Sequence, residues 1–180
     1  MIFHWYGFFI GLAGVVGYSI AEHLEPKVAK VAPWILLFGF VGARLYHIVD
    51  LWSYYSQNLG QIVAVWNGGM SIWGGLIGGF VAWWIVDRRS WETLGAMATA
   101  LPLSQAIGRI GNGVNGEFVN KIWILPWWSV EAILDIILFG IMWYLKPRTR
   151  TPRTRTPRTA IWVYLVGYGL IRLVLQPYRL

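Results

Sequence analysis

Apolar residues run along the chain in six long blocks, at 5–20, 31–49, 70–86, 94–110, 127–145 and 160–175, with polar residues gathered between them. Each block is close to the roughly 20 residues that carry a helix across about 30 Å of hydrocarbon. Backbone polar groups in lipid must be bonded within their own segment, which makes these blocks helices and not open strands. The pattern predicts an all-α polytopic membrane protein of about six transmembrane helices, with residues 1–180 forming one membrane domain. No Lys or Arg precedes the first block and no small-residue cleavage signature follows it, so it is expected to stay as a span.

Composition sharpens this picture. Hydrophobic residues make up 57% of the 180 and charged residues only 13%, about half the charged fraction of a soluble domain. Many of the 13 Trp stand near the ends of apolar blocks, where an amphipathic ring anchors at the membrane interface. With no Cys, disulfides, thiol nucleophiles and thiolate metal sites on this chain are excluded. Of the 15 Lys and Arg, 10 fall in alternate loops: Lys27 and Lys30, Arg88 and Arg89, and the stretch from Lys146 to Arg158. The excess of basic residues on cytoplasmic loops puts those loops inside and both termini on the non-cytoplasmic side. The net charge of +7 therefore reports topology, and nucleic acid is not an expected partner. Residues 147–159 repeat PRTRT, and Pro at every fifth position predicts a solvated, extended cytoplasmic linker.

Ionisable residues inside spans are costly and usually face a bundle interior or a wet cavity. Arg44, His47 and Asp50 fall at i, i+3 and i+6 on one helical face, and Glu131 and Asp135 at i and i+4 on another. Arg109 is expected to end the fourth span, and Arg172 lies in the sixth. Pairing between carboxylates and arginines would account for Asp50 and Asp135. Three arginines towards one leaflet point instead to an external anion, which a phospholipid headgroup supplies. Glycines crowd two regions read as outer loops. In the first, Gly74, Gly75, Gly78 and Gly79 fit close helix packing. In the second, residues 108–117, Arg109, Asn112, Asn115 and Glu117 stand among the glycines, and packing alone does not explain them.

That second stretch, GRIGNGVNGE, resembles the signature of the prolipoprotein diacylglyceryl transferases, in which Arg, Asn, Asn and Glu follow the fourth span. Weaker pieces appear in the family's order: His4-Trp5-Tyr6-Gly7, Gly42-Ala43-Arg44, WNGGMSIWGGLIGG, the segment from Pro126 to Glu131, and Tyr168-Gly169-Leu170-Ile171-Arg172. The resemblance runs from residue 4 to residue 179. It implies a multi-pass enzyme of the bacterial cytoplasmic (inner) membrane that moves the diacylglyceryl group of phosphatidylglycerol onto the lipobox cysteine of a precursor protein. Its partners would be that lipid and that precursor, and no cofactor or metal is implied. It assigns Glu117, Arg172 and Tyr168 to catalysis, and Arg109, Asn112, Asn115, Arg44, Tyr6 and Glu131 to substrate binding.

The chain departs from the family pattern at several positions. Trp73 stands where the third-span motif has His, Gln176 where an acidic residue follows Arg172, and Leu125 where a His-Pro precedes the fifth span. With that His gone, the candidates for a base are Glu117, Glu131, His47 and Tyr6, and Glu117 leads because it lies within the motif. Two other readings stay open: a non-catalytic relative that binds anionic phospholipid, and a small anion transporter.

Overall fold

The computed structural model describes residues 5–88, 90–117, 120–122, 124–145 and 157–178, apart from the side chains of Tyr6 and Lys121. His4, most of the PRTRT linker and the side chain of Tyr6 thus lie outside the described residues. Six long helices coincide with the six predicted spans: α1 Trp5–Leu24, α2 Val28–Asp50, α4 Ile72–Val86, α5 Trp91–Val114, α6 Trp127–Tyr144 and α7 Pro157–Leu175. A four-residue helix, α3 Trp52–Tyr55, follows α2. Short 3-10 turns occupy Leu59–Ile62 and Val65–Asn67, and β1 Lys121–Ile122 pairs antiparallel with β2 Leu125–Pro126. None of these minor elements was evident in the hydrophobic pattern.

Two boundaries differ from expectation. Helix α7 starts at Pro157, inside the stretch read as linker. Proline suits a first helical position, because its missing N–H would be unbonded there anyway. Helix α5 runs to Val114, so most of the motif read as an outer loop is helical.

Among the described residues, α1, α2, α6 and α7 are long and apolar enough to cross a membrane, and α4 is a shorter apolar helix. Helix α5 is long but more polar, since it carries Gln105, Arg109 and Asn112. The burial pattern is that of a membrane protein. Leu36, Val49, Ile72 and Leu173 are exposed while Glu131 and Asp135 are fully buried, the reverse of what water demands.

The chain separates into two compact units, residues 1–28 with 91–180, and residues 29–90. In the first, α5 packs against α1, α6 and α7, and α6 packs against α7. Small buried residues on α5, among them Ala96, Ala98, Ala100, Ala106 and Gly111, let neighbouring helices come close. In the second unit, α2 crosses α4 through glycine. A Cβ on Gly42 would collide with the Gly74 carbonyl oxygen, and one on Gly78 with the Phe38 carbonyl. The glycine-packing reading of this stretch accounts for that crossing. The Ser71 N–H donates to the Ala43 carbonyl at 3.0 Å and ties the start of α4 to α2.

Candidate active site

The first unit gathers most of the sequence-predicted site residues around one carboxylate. Glu131, in the first turns of α6, is fully buried. Its Oε2 lies 2.9 Å from Arg109 Nε on α5, and its Oε1 lies 3.3 Å from Arg172 Nη1 on α7. Three helices thus each contribute one charge to a single cluster. Burying a lone carboxylate would be prohibitive, and two guanidiniums offset that cost. Arg109 and Arg172 remain partly exposed, with side chains 18% and 24% accessible.

The motif after Arg109 closes on itself. Arg109 Nη1 donates to Asn112 Oδ1 at 3.3 Å, one turn along α5. Asn112 Nδ2 donates to Glu117 Oε2 and Asn115 Nδ2 to Glu117 Oε1, both at 2.6 Å. The helix end makes this possible. Gly116 adopts φ +74°, its N–H donates to the Gly113 carbonyl, and the Glu117 N–H donates to the Asn112 carbonyl at 2.9 Å. This six-to-one and five-to-two closure around a left-handed glycine is a Schellman stop, and it folds Glu117 back over Asn112. The other glycines serve packing. A Cβ on Gly111 would press into Phe9, and one on Gly113 into the Trp128 ring.

Tyr168 lies one turn before Arg172 on α7, and its ring stacks on Tyr164 at 5.8 Å. Among the described residues, no hydrogen bond joins its hydroxyl to the Arg109–Glu131–Arg172 cluster. The Arg172 Nη2 donates at 3.0 Å to Oε1 of Gln176, which stands at the expected acidic position. The amide oxygen keeps the hydrogen bond and removes a negative charge.

One turn deeper, Asp135 is fully buried, and among the described residues neither of its oxygens has a hydrogen-bond partner. The ion pairing expected of Asp135 is thus not made. Near it, Gln105 Nε2 donates to the Tyr164 hydroxyl at 3.0 Å. Two contributors were not singled out from the sequence: Gln105, and Trp127, one of the many Trp that stand near the ends of apolar blocks.

Arg44 belongs to the second unit and is buried there. Its Nε donates to the Ile62 carbonyl, its Nη1 to Gly68 and Gly69, and its Nη2 to Gln61 and Ala64. A guanidinium has five N–H donors, and all five are spent on main-chain oxygens. The guanidinium also lies 5.4 Å from the Tyr55 ring centre. As placed, Arg44 shapes the 61–69 segment and has no donor left for a phosphate, unlike the role the resemblance implies. Among the described residues, Arg109 and Arg172 keep donors that no partner takes. Trp73, at the family's His position, is 64% exposed in the first turn of α4. Among the described residues no three His, Cys, Asp or Glu side chains gather in a way that could hold a metal ion.

Helices with lipid-suited surfaces define a polytopic membrane protein, and its first unit holds a buried cluster of two guanidiniums and one carboxylate. The comparisons with known proteins are specific. The family model described as prolipoprotein diacylglyceryl transferase matches residues 1–180, and the chain belongs to that family. A protein of Finegoldia magna named phosphatidylglycerol–prolipoprotein diacylglyceryl transferase is 29% identical over 97% of this chain and 78% of its own length. The protein of that name from Streptococcus uberis is 31% identical over 98% of this chain and 79% of its own. The one from Acaryochloris marina is 35% identical over 71% of this chain and 50% of its own.

Proposed function

We propose that this chain transfers the diacylglyceryl group of phosphatidylglycerol to the cysteine thiol of a lipobox precursor, at the outer face of the bacterial cytoplasmic membrane. The observation that carries the reading is the convergence of Arg109 and Arg172 on one buried glutamate, with N–H donors of both arginines left over among the described residues. In the reaction, the sulfur–carbon bond forms at the terminal carbon of the diacylglyceryl group as that carbon's bond to phosphate oxygen breaks. Glycerol phosphate leaves with the electron pair, and the thiol proton passes to a base.

The residues divide this work by their chemistry. Arg109 and Arg172 take the phosphate oxygens and offset the charge that grows as the ester breaks, a role suited to a site of low dielectric. Glu131 cancels only one of their two charges. With Gln176 in place of a carboxylate beside Arg172, the pair keeps more of its positive field for an anion. Glu117 accepts the thiol proton: it is the partly exposed carboxylate of the motif, and two asparagine amides hold its orientation. Asn112 and Asn115 are positioning residues in this scheme.

Trp73 favours a second reading, in which the chain binds anionic lipid without turnover, because an indole cannot do the proton transfer of an imidazole. One assay separates the two. Purified protein in phosphatidylglycerol micelles should release glycerol phosphate only when a lipobox peptide with a free cysteine is added. Binding of the lipid with no release would establish the second reading and end the first.

A further inference from the structure

Trp127 is fully buried at the first position of α6. The guanidinium carbons of both Arg109 and Arg172 lie against its indole, 5.4 Å and 5.9 Å from the ring centre. Its Nε1–H donates at 2.9 Å to the Leu175 carbonyl in the last turn of α7, and its backbone N–H donates at 2.7 Å to the Asn120 carbonyl. The ring is thereby tied to the helix that carries Arg172, and its backbone to the segment before α6. We infer that Trp127 is the positioning residue of the arginine pair, holding both guanidiniums in the one arrangement in which they share a phosphate. The catalytic part of this inference rests on the function proposed above.

The physical need is plain. Two guanidiniums beside one carboxylate leave an excess positive charge, so each is pushed away from the other and towards solvent. Glu131 restrains each arginine through its carboxylate oxygens, and Asn112 and Gln176 each take one further N–H, but these contacts hold the guanidiniums by their edges and leave their faces to be fixed. A π-face attracts a cation over an area, and it does so more strongly when water is excluded. Placed against both guanidiniums, the indole limits that swing without using any of the N–H donors a phosphate would need. An acidic side chain in its place would also hold the arginines, at the cost of cancelling the charge that binds the substrate.

The test compares Trp127→Phe with Trp127→Leu in the full chain. Both lose the hydrogen bond to Leu175, so the difference between them isolates the aromatic face. The KM for phosphatidylglycerol should rise about tenfold in the Leu variant and less than about threefold in the Phe variant. kcat should fall as well in the Leu variant and change little in the Phe variant, because the arginines that the ring holds also offset the charge growing on the leaving phosphate. Equal rises in the two variants would mean that only the hydrogen bond or the bulk matters, and would overturn the inference.

A second measurement is independent of turnover. In 15N-arginine protein, the Nε–H resonances of Arg109 and Arg172, identified by their loss in Arg→Lys variants, should be ring-shifted in wild type and in the Phe variant and relaxed in the Leu variant. Unshifted wild-type resonances would overturn the positioning role whatever the activity. Shifted resonances in a protein that neither binds nor consumes phosphatidylglycerol would uphold the positioning and refute the proposed function instead.

Discussion

Arg109 Nε stands 2.9 Å from the Oε2 of Glu131, and this contact joins α5 to α6 through a carboxylate with no exposure to solvent. Removing the carboxylate leaves two facing guanidiniums with nothing between them. Breaking a buried pair in this way costs about 3 kcal/mol or more. Glu131→Ala should therefore lower the unfolding temperature in detergent well below that of Glu131→Gln, which keeps an acceptor oxygen for one arginine. Equal losses in the two variants would show that packing, and not charge, dominates at this position.

Glu117→Gln keeps the shape of the side chain and removes its ability to take a proton. Transfer to a lipobox peptide should fall by about a hundredfold or more, the usual scale for a lost general base, while phosphatidylglycerol binding persists. A variant as active as wild type would remove Glu117 from the role of base.

Gly74 and Gly75 are neighbours with opposite tolerances. A Cβ on Gly74 would collide with the Gly42 carbonyl, whereas on Gly75 the nearest atom would be 3.6 Å away, an ordinary contact. Gly74→Ala should cost about 1–3 kcal/mol by overpacking, and Gly75→Ala should be neutral or slightly stabilising. Thermal unfolding of the two variants side by side decides the matter.

Arg44→Lys replaces five directional donors with a single ammonium. The fold of α2 should survive, but amide hydrogen exchange in residues 61–69 should accelerate about tenfold or more as carbonyl anchors are lost. Unchanged exchange there would mean that the segment holds its shape without the arginine.

Topology gives a test that needs no activity. Reporter tags placed after Lys27, Arg89 and Arg153 should read cytoplasmic, and a tag after Leu180 should read outside. A cytoplasmic signal from the last of these would mean that the number of spans is not six.

The six helices were legible because lipid imposes length and hydrophobicity on a span, and both are written directly in the residues. Arg109, Asn112 and Glu117 could be recognised as a group because polar residues among glycines at a membrane boundary have little reason to exist otherwise. Their form was misread, however. Glycine density in 108–117 suggested irregular backbone, yet Gly111 and Gly113 are small because Phe9 and Trp128 press on them, and Gly116 is the one of these that breaks the helix. Side-chain contacts across helices left no trace in periodicity. That is why Trp127 was not singled out from the other Trp near span ends, and why Arg44 looked like an anion ligand when its partners are main-chain carbonyls.

The clamp that Arg44 makes has a consequence for how freely residues 61–69 can change. It grips carbonyl oxygens, which every amino acid possesses, and so it does not distinguish one side chain from another. The segment is specified by a single residue 17 or more positions earlier in the chain, together with the positive φ of Gly68 and Gly69. Val63, Val65 and Trp66, whose side chains are exposed, can therefore be rewritten for another task, such as a different lipid or peptide surface, while the trace of the backbone stays where the arginine holds it. Ala64 is buried, and the Gln61 side chain accepts a hydrogen bond from Asn67. Diversity can accumulate in that stretch without a matching change elsewhere, and a designer seeking a place to alter this protein's outward contacts would begin there.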